Sequence, residues 1–284
     1  MSFAGVAVVA LRESLEALLV CGILAGIVAK LGHPAARKPI ILGGLLGVAV
    51  SIAVGVATHK LASDLYDKHG AAFEAAASLV AVAILTYMVV WMYKHTQQSM
   101  GALHAKAKDA VLSGRSSVLL GLAFVVVVRE GLETVVFVAA QAGQTSAGGI
   151  VLGLAVGIAV SVVLALLLFR GIVHLSVERF FAVTGILLIL VGGGLLGYAM
   201  HEGAEVGWFP ETPQAWDTSG ALPHKCPESG PVDAGCITGS FLHGLMGYRD
   251  TPAWLDLGVW LAYVGAMSVW YLRPMMARRG HTQA

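Results

Sequence analysis

Two short strings carry the chemistry of this chain: Arg12-Glu13-Ser14-Leu15-Glu16 and Arg129-Glu130-Gly131-Leu132-Glu133. Each sets two carboxylates and one guanidinium in the middle of a long apolar run. Residues three apart share a helix face. Glu13 and Glu16 can therefore grip one cation, and so can Glu130 and Glu133. Arg12 and Arg129 each precede the last glutamate of their string by four residues, close enough to neutralise it. Four carboxylates against two guanidiniums leave a net negative site that wants a positive guest. Carboxylates are hard oxygen donors suited to Mg²⁺, Ca²⁺, Mn²⁺ or iron, and the residue types alone leave that choice open. The bland alternative is salt bridging between helices without transport. It is an expensive use of charge, because each charged side chain at a bilayer centre costs roughly 2.5–3.5 kcal/mol.

The elements that position these strings are membrane spans. The chain is 57% hydrophobic and 12% charged, about half the charge of a soluble domain. It reads as an all-α integral membrane protein. A span needs about 20 mostly apolar residues, and seven stretches qualify: approximately 4–29, 40–58, 72–93, 117–142, 148–169, 180–200 and 253–272. No Lys or Arg precedes residue 12, so the first stretch lacks the basic start of a signal peptide and is kept as a mature helix. Twelve Lys and Arg residues fall after spans one, three and five and at the C-terminus, against four on the other side. That split puts the N-terminus outside and the C-terminus in the cytoplasm. The net charge of +1 gives no reason to expect nucleic-acid binding. No Ser/His/Asp or Cys/His arrangement, phosphate loop or haem-type Cys motif suggests an enzyme.

The halves of the chain repeat. Val8 to Glu16 matches Val125 to Glu133, and Gly47 to Val54 matches Gly157 to Leu164; spans three and six agree only loosely. With three spans per copy, the second copy enters the membrane from the opposite side, a frequent transporter plan with its site at the midplane. The organisation is thus a first repeat (1–93), a cytoplasmic linker (94–116), an inverted second repeat (117–200), an acidic outer loop (201–252) and a seventh helix with a cytoplasmic tail (253–284). Both motifs begin about nine residues into their helices, roughly 13 Å deep, near the centre of a 30 Å core.

A duplicated Arg-Glu-x-x-Glu motif in spans one and four of a seven-span chain resembles the oxidase-dependent iron permease family, of the bacterial type, within the iron/lead transporter group. The resemblance covers both motifs, the repeat, the topology and the outer loop. It implies iron as the transported substrate rather than a cofactor, with Glu13, Glu16, Glu130 and Glu133 binding it and Arg12 and Arg129 as charge partners. It further implies a bacterial cytoplasmic membrane and a periplasmic iron-binding or iron-oxidising partner. Rival readings are a permease for lead or manganese and a membrane subunit that senses or anchors without transport.

Other residues are weaker candidates. Glu74, near the outer start of span three, lines a way in or is an interfacial acid. His201, Glu202 and Glu205 catch iron at the outer mouth or form a solvated acidic turn. Cys226 and Cys236 face an oxidising compartment and favour a disulfide over a metal-binding pair, while Cys21 is a packing residue. In the linker, Met100, Leu103, Ala107 and Val111 share a helical face, which suits a helix on the inner membrane surface or a solvated basic loop. Tyr87, Met88, Trp91 and Met92 read as packing and interfacial anchors.

Overall fold

The computed structural model describes residues 3–141, 145–170, 177–224 and 234–280, with the side chains of 62–69, 92–100, 102–104, 177–179, 181 and 274–280 also left aside. Met92, His95, Met100, Leu103 and Cys226 therefore lie outside the described side chains. The helices are α1 (Ala4–Lys30), α2 (Arg37–His69), α3 (Ala71–Leu112), α4 (Ser116–Gln141), α5 (Ala147–Phe169), α6 (Val177–Glu205), α7 (Ala234–Met246) and α8 (Trp254–Gly280), with one 3₁₀ turn at Pro34–Ala36. Among the described residues there is no strand, only a single antiparallel bridge between Gln214 and Ala253. Five helices, α2, α3, α5, α6 and α8, hold stretches long and apolar enough to cross a membrane. α1 and α4 have 27 and 26 residues, but each carries three charges near its middle.

Two helices end by the same device. Gly32 and Gly114 take φ of 76° and 67°, a left-handed conformation that costs glycine little. The following N–H groups fold back onto the last turn, His33 to Val28 O (3.1 Å) and Arg115 to Ala110 O (2.9 Å). This is the usual way to satisfy the last carbonyls.

α3 is longer than its apolar stretch. It runs unbroken to Leu112, so residues 94–112 continue the third span instead of forming a separate loop. Ala107, Ala110 and Val111 are buried against Leu24, Ile27 and Val28 of α1, Ile40 of α2 and Leu119 and Ala123 of α4. The apolar face read as a membrane-surface helix is thus partly used inside the protein. The same cluster brings the end of α1 to the start of α4, so the two helices run in opposite directions.

The main helix pairs are α1 with α5, α2 with α4, and α3 with α6. Exchanging the halves converts the first pair into the second and leaves the third unchanged. The correspondence holds residue by residue. A Cβ on Gly157 would lie 2.6 Å from Ala7 O and 2.7 Å from Ala10 Cβ; one on Gly47 would lie 3.2 Å from Phe124 O and 2.8 Å from Val127 Cβ. Gly153 likewise faces Phe3 O and Val6, and Gly43 faces Leu120 O and Ala123. The partners on α4 stand at the same offset from those on α1 as Arg129 does from Arg12. Glycine lets the backbones approach closely where lipid supplies no hydrophobic drive, a small-residue packing known from membrane helices.

Among its described residues the segment between α6 and α8 is mostly irregular, as its Pro and Gly content suggests, with α7 as a short helix. Its strands of chain are tied by Thr218 N to Asp250 O (2.9 Å), Ala215 N to Pro252 O (2.8 Å) and a His224 Nδ1–Asp250 Oδ1 pair (2.7 Å). Burial works against the Asp250 carboxylate, yet the backbone N–H and ring of His224 hold it below its ordinary pKa. Cys236 is disulfide-bonded, and Cys21 is a free thiol.

Gly157→Ala is expected to lower stability by about 1–3 kcal/mol through overpacking. Gly26→Ala, where a Cβ meets nothing within 4 Å, is expected to be neutral or to raise stability by up to ~1 kcal/mol. Thermal unfolding in detergent measures both.

Candidate metal site

α1 and α4 bring the two charged strings together where they cross. Arg12 and Glu13 are each 1% exposed and Glu130 is 4% exposed. The Arg12 guanidinium contacts Glu13 through Nη1 and stands 3.6 Å from Glu16 through Nη2. In the second copy Arg129 Nε donates to Glu133 Oε1 at 2.9 Å. The copies are not equivalent. Arg12 is sealed, whereas the Arg129 side chain is 41% exposed.

Glu13, Glu130 and Glu133 each offer a carboxylate oxygen, and the three lie within 4.8 Å of one another. Ligands of one small cation stand at most about twice the metal–oxygen distance apart, roughly 4–5 Å. The three oxygens therefore fall within the range that a single-ion site spans. Glu13 Oε2, Glu130 Oε2 and Glu133 Oε2 are buried with no N–H donor on them among the described residues, and the Glu13 and Glu130 carboxyls lie within hydrogen-bonding reach of each other. Carboxylates crowded at one buried point repel one another when ionised, and a shared proton or a bound cation relieves them. Glu16 was expected to join this group. It stands outside it, on the far branch of Arg12. The geometric reason is that Arg12 reaches forward one turn and holds Glu16, while Glu13 turns toward α4.

α3 supplies contacts to both guanidiniums. Arg12 Nη1 donates to Met88 Sδ at 3.1 Å. Arg129 lies over the Trp91 ring, 4.6 Å from its centre, a cation–π arrangement. Met88 and Trp91 are three residues apart, so one helix face serves both copies. The anchoring role expected of Met88 and Trp91 left out the guanidiniums, although the three-residue spacing was there to read. α2 approaches from the other side: a Cβ on Gly131 would collide with Ser51, so the glycine inside the second motif admits that helix. Beside the motifs a cavity of about 270 Å³ opens between α3 and α4, lined by Ile84, Tyr87, Met88, Trp91, Arg129 and Glu133. A smaller pocket of about 10 Å³ adjoins Glu13, Glu133 and Met88, room for about one water.

The outer candidates form a second group. His201, Glu202 and Glu205 also place ligand atoms within 4.8 Å of one another. They sit on the last turns of α6 rather than in a loop. His201 pairs with Glu205 (3.6 Å) and with Asp256 of α8 (3.4 Å). Glu74 lies in the first turn of α3, at the same end, since Gly203 approaches Ala75. Sequence reasoning missed Arg249, whose guanidinium feels Asp256, Glu202, Asp250 and Glu205. Its positive charge offsets part of the acidic charge at this end of the bundle.

The model of the iron permease FTR1 family matches residues 3–275. The chain belongs to this family. A member named ferrous iron permease EfeU from Yersinia pestis is 27% identical over 93% of this chain and 91% of its own length. Its namesake from Escherichia coli O6:H1 is 28% identical over 94% of both chains. No solved structure matches. Family membership makes the chain an iron permease of the multi-pass membrane type, with iron as its substrate.

The inequality of the two arginines gives an expected outcome. Arg12→Ala leaves buried carboxylates without their cation, a change that costs roughly 3–5 kcal/mol. Arg129→Ala removes a half-exposed group and is expected to cost about 1 kcal/mol. The yield of monodisperse protein on size exclusion should be much lower for Arg12→Ala than for Arg129→Ala; equal yields would contradict the pairing.

Proposed function

We propose that the chain is a seven-span permease that carries ferrous iron inward through a midplane site formed by Glu13, Glu130 and Glu133. In this reading α1 and α4 are spans, paid for by mutual neutralisation of their charges. The N-terminus faces the periplasm, the C-terminus faces the cytoplasm, and the membrane is the bacterial cytoplasmic membrane. The two halves are inverted three-helix repeats, and the site lies between them, as in other inverted-repeat transporters. The single observation that carries the proposal is the convergence of three buried carboxylates, Glu13, Glu130 and Glu133, at the crossing of α1 and α4. The ferrous state follows the names of the EfeU relatives.

Each residue then has a task. The three glutamates replace the hydration shell of the ion. Arg12 keeps Glu16 occupied and limits the negative charge when the site is empty. Arg129, held by Glu133 and Trp91, borders the cavity between α3 and α4 and does the same for the second copy. The outer group of His201, Glu202 and Glu205, with Glu74 nearby, receives iron from a periplasmic iron-binding or iron-oxidising partner. Alternating movement of one repeat against the other exposes the site first to one side and then to the other.

Glu13→Gln, Glu130→Gln and Glu133→Gln are each expected to cut radiolabelled iron uptake into proteoliposomes roughly tenfold or more, because a charge-assisted bond is worth about 1.5–3 kcal/mol and 1.36 kcal/mol is tenfold. Glu16→Gln is expected to do less. Normal uptake by Glu130→Gln protein that is correctly inserted would refute the site. In the same vesicles, unlabelled manganese and lead report whether another divalent metal is preferred.

A further inference from the structure

Met88 is a methionine placed where a ligand is wanted. It is 4% exposed and comes from α3, which contributes none of the carboxylates. Its sulfur is 3.1 Å from Arg12 Nη1, the nitrogen that also contacts Glu13. It lines the 270 Å³ cavity together with Glu133 and Arg129. It also lines the small pocket beside Glu13 and Glu133. Only Ile84, Met88 and Glu133 border both, so among these three Met88 and Glu133 are the side chains that bring a donor atom to the wall the two cavities share.

We propose that the thioether of Met88 is a ligand of the transported ion and that it favours transition-metal ions over Mg²⁺ and Ca²⁺. This rests on the reading of Glu13, Glu130 and Glu133 as the ion's site. Ca²⁺ takes six to eight oxygens, and Mg²⁺ demands near-ideal octahedral oxygen geometry and dehydrates reluctantly. The wall of the small pocket beyond Glu13 and Glu133 is otherwise apolar, so a hard ion there gives up water and gains no further oxygen. A thioether is a soft donor. It offers little to Mg²⁺ or Ca²⁺ and forms a useful bond to a softer ion such as Fe²⁺ or Cd²⁺. The side chain is unbranched and has three rotatable bonds, so the sulfur can leave Arg12 when an ion arrives and return when it departs.

The test uses the full-length chain in a Cys21→Ser background, which removes the free thiol. X-ray absorption of protein loaded anaerobically with Fe²⁺, or with Cd²⁺, is expected to show one sulfur neighbour, lost in Met88→Leu, a volume-conserving change. In proteoliposomes Met88→Leu is expected to raise the half-saturating Fe²⁺ concentration roughly tenfold, and to let Mg²⁺ or Ca²⁺ compete at concentrations harmless to the parent protein. Met88→Cys keeps a sulfur and should keep the selectivity. An all-oxygen shell in the parent protein overturns the proposal, as does unchanged affinity and competition in Met88→Leu. Should Met88→Leu fail to fold, the parent spectrum decides alone. Glu130→Gln separates the two levels: normal uptake in that variant refutes the carboxylate site itself, whereas its loss alongside an unaltered Met88→Leu refutes only the role of the sulfur.

Discussion

The structure depends on gathering six charged side chains into one cluster where α1 crosses α4, in a chain that is otherwise mostly apolar. The ion pairs are therefore not decoration on a finished bundle. They fix which face of α1 meets which face of α4, because any other rotation would present guanidinium or carboxylate to lipid. The two motifs hold four carboxyl groups against two guanidiniums, so pairing with arginine alone leaves acids over. The converging carboxyls of Glu13, Glu130 and Glu133 show where that surplus is concentrated. A stable protein tolerates such a surplus where a guest relieves it.

Close approach of the helices follows from that constraint. In lipid there is no gain from hiding apolar surface, so contact comes from fitting backbones together. Glycines on α2 and α5 meet the backbones of α4 and α1 at equivalent points. α1 and α4 are therefore each backed by a helix from the other half, and α3 packs behind both. This exchange ties the halves together, and the charged crossing lies between them. Gly131 extends the same logic into the motif itself, where the absent side chain is occupied by Ser51.

Much of this was legible in the chain, for identifiable reasons. The all-helical class followed from the low charge and long apolar runs, and the iron permease family from the duplicated motif. The matching of Gly47 with Gly157 was read only as part of the repeat; that both pack directly on a neighbouring backbone became visible in the structure. The end of α3 was not legible: Ala107 and Val111 carry the same small apolar face whether they meet lipid or protein, and only the position of α1 and α4 decides. That Glu16 lies beside Arg12 and outside the converging trio, though close enough to act on Glu130 and Glu133, was also hidden. Spacing puts Glu13 and Glu16 on one face, but a long arginine side chain can divide that face between two partners. Trp91 and Met88 were visible as a pair on one face, yet their partners are on helices distant in sequence.

The inequality of the two copies bears on direction. An ideal two-fold pair of motifs would present itself identically to both sides, and nothing would distinguish inward from outward. Here the first motif is sealed, its arginine shared between two acids and backed by a thioether. The second borders a cavity, its arginine half exposed and stacked on an indole. α3 is the source of the difference, since it contacts both guanidiniums with different side chains. In the proposed cycle one conformation opens the second motif, and the opposite conformation opens the first. An exact exchange of roles would require α6 to stand where α3 now stands. The corresponding face of α6 carries Leu195, 1% exposed, and Tyr198 in place of Met88 and Trp91 when Phe180 is set against Phe73. The two states would then differ in the donors they offer, with sulfur and indole on one side only. A carrier built this way holds its ion differently before and after the switch, and that difference is enough to make release from one side easier than from the other.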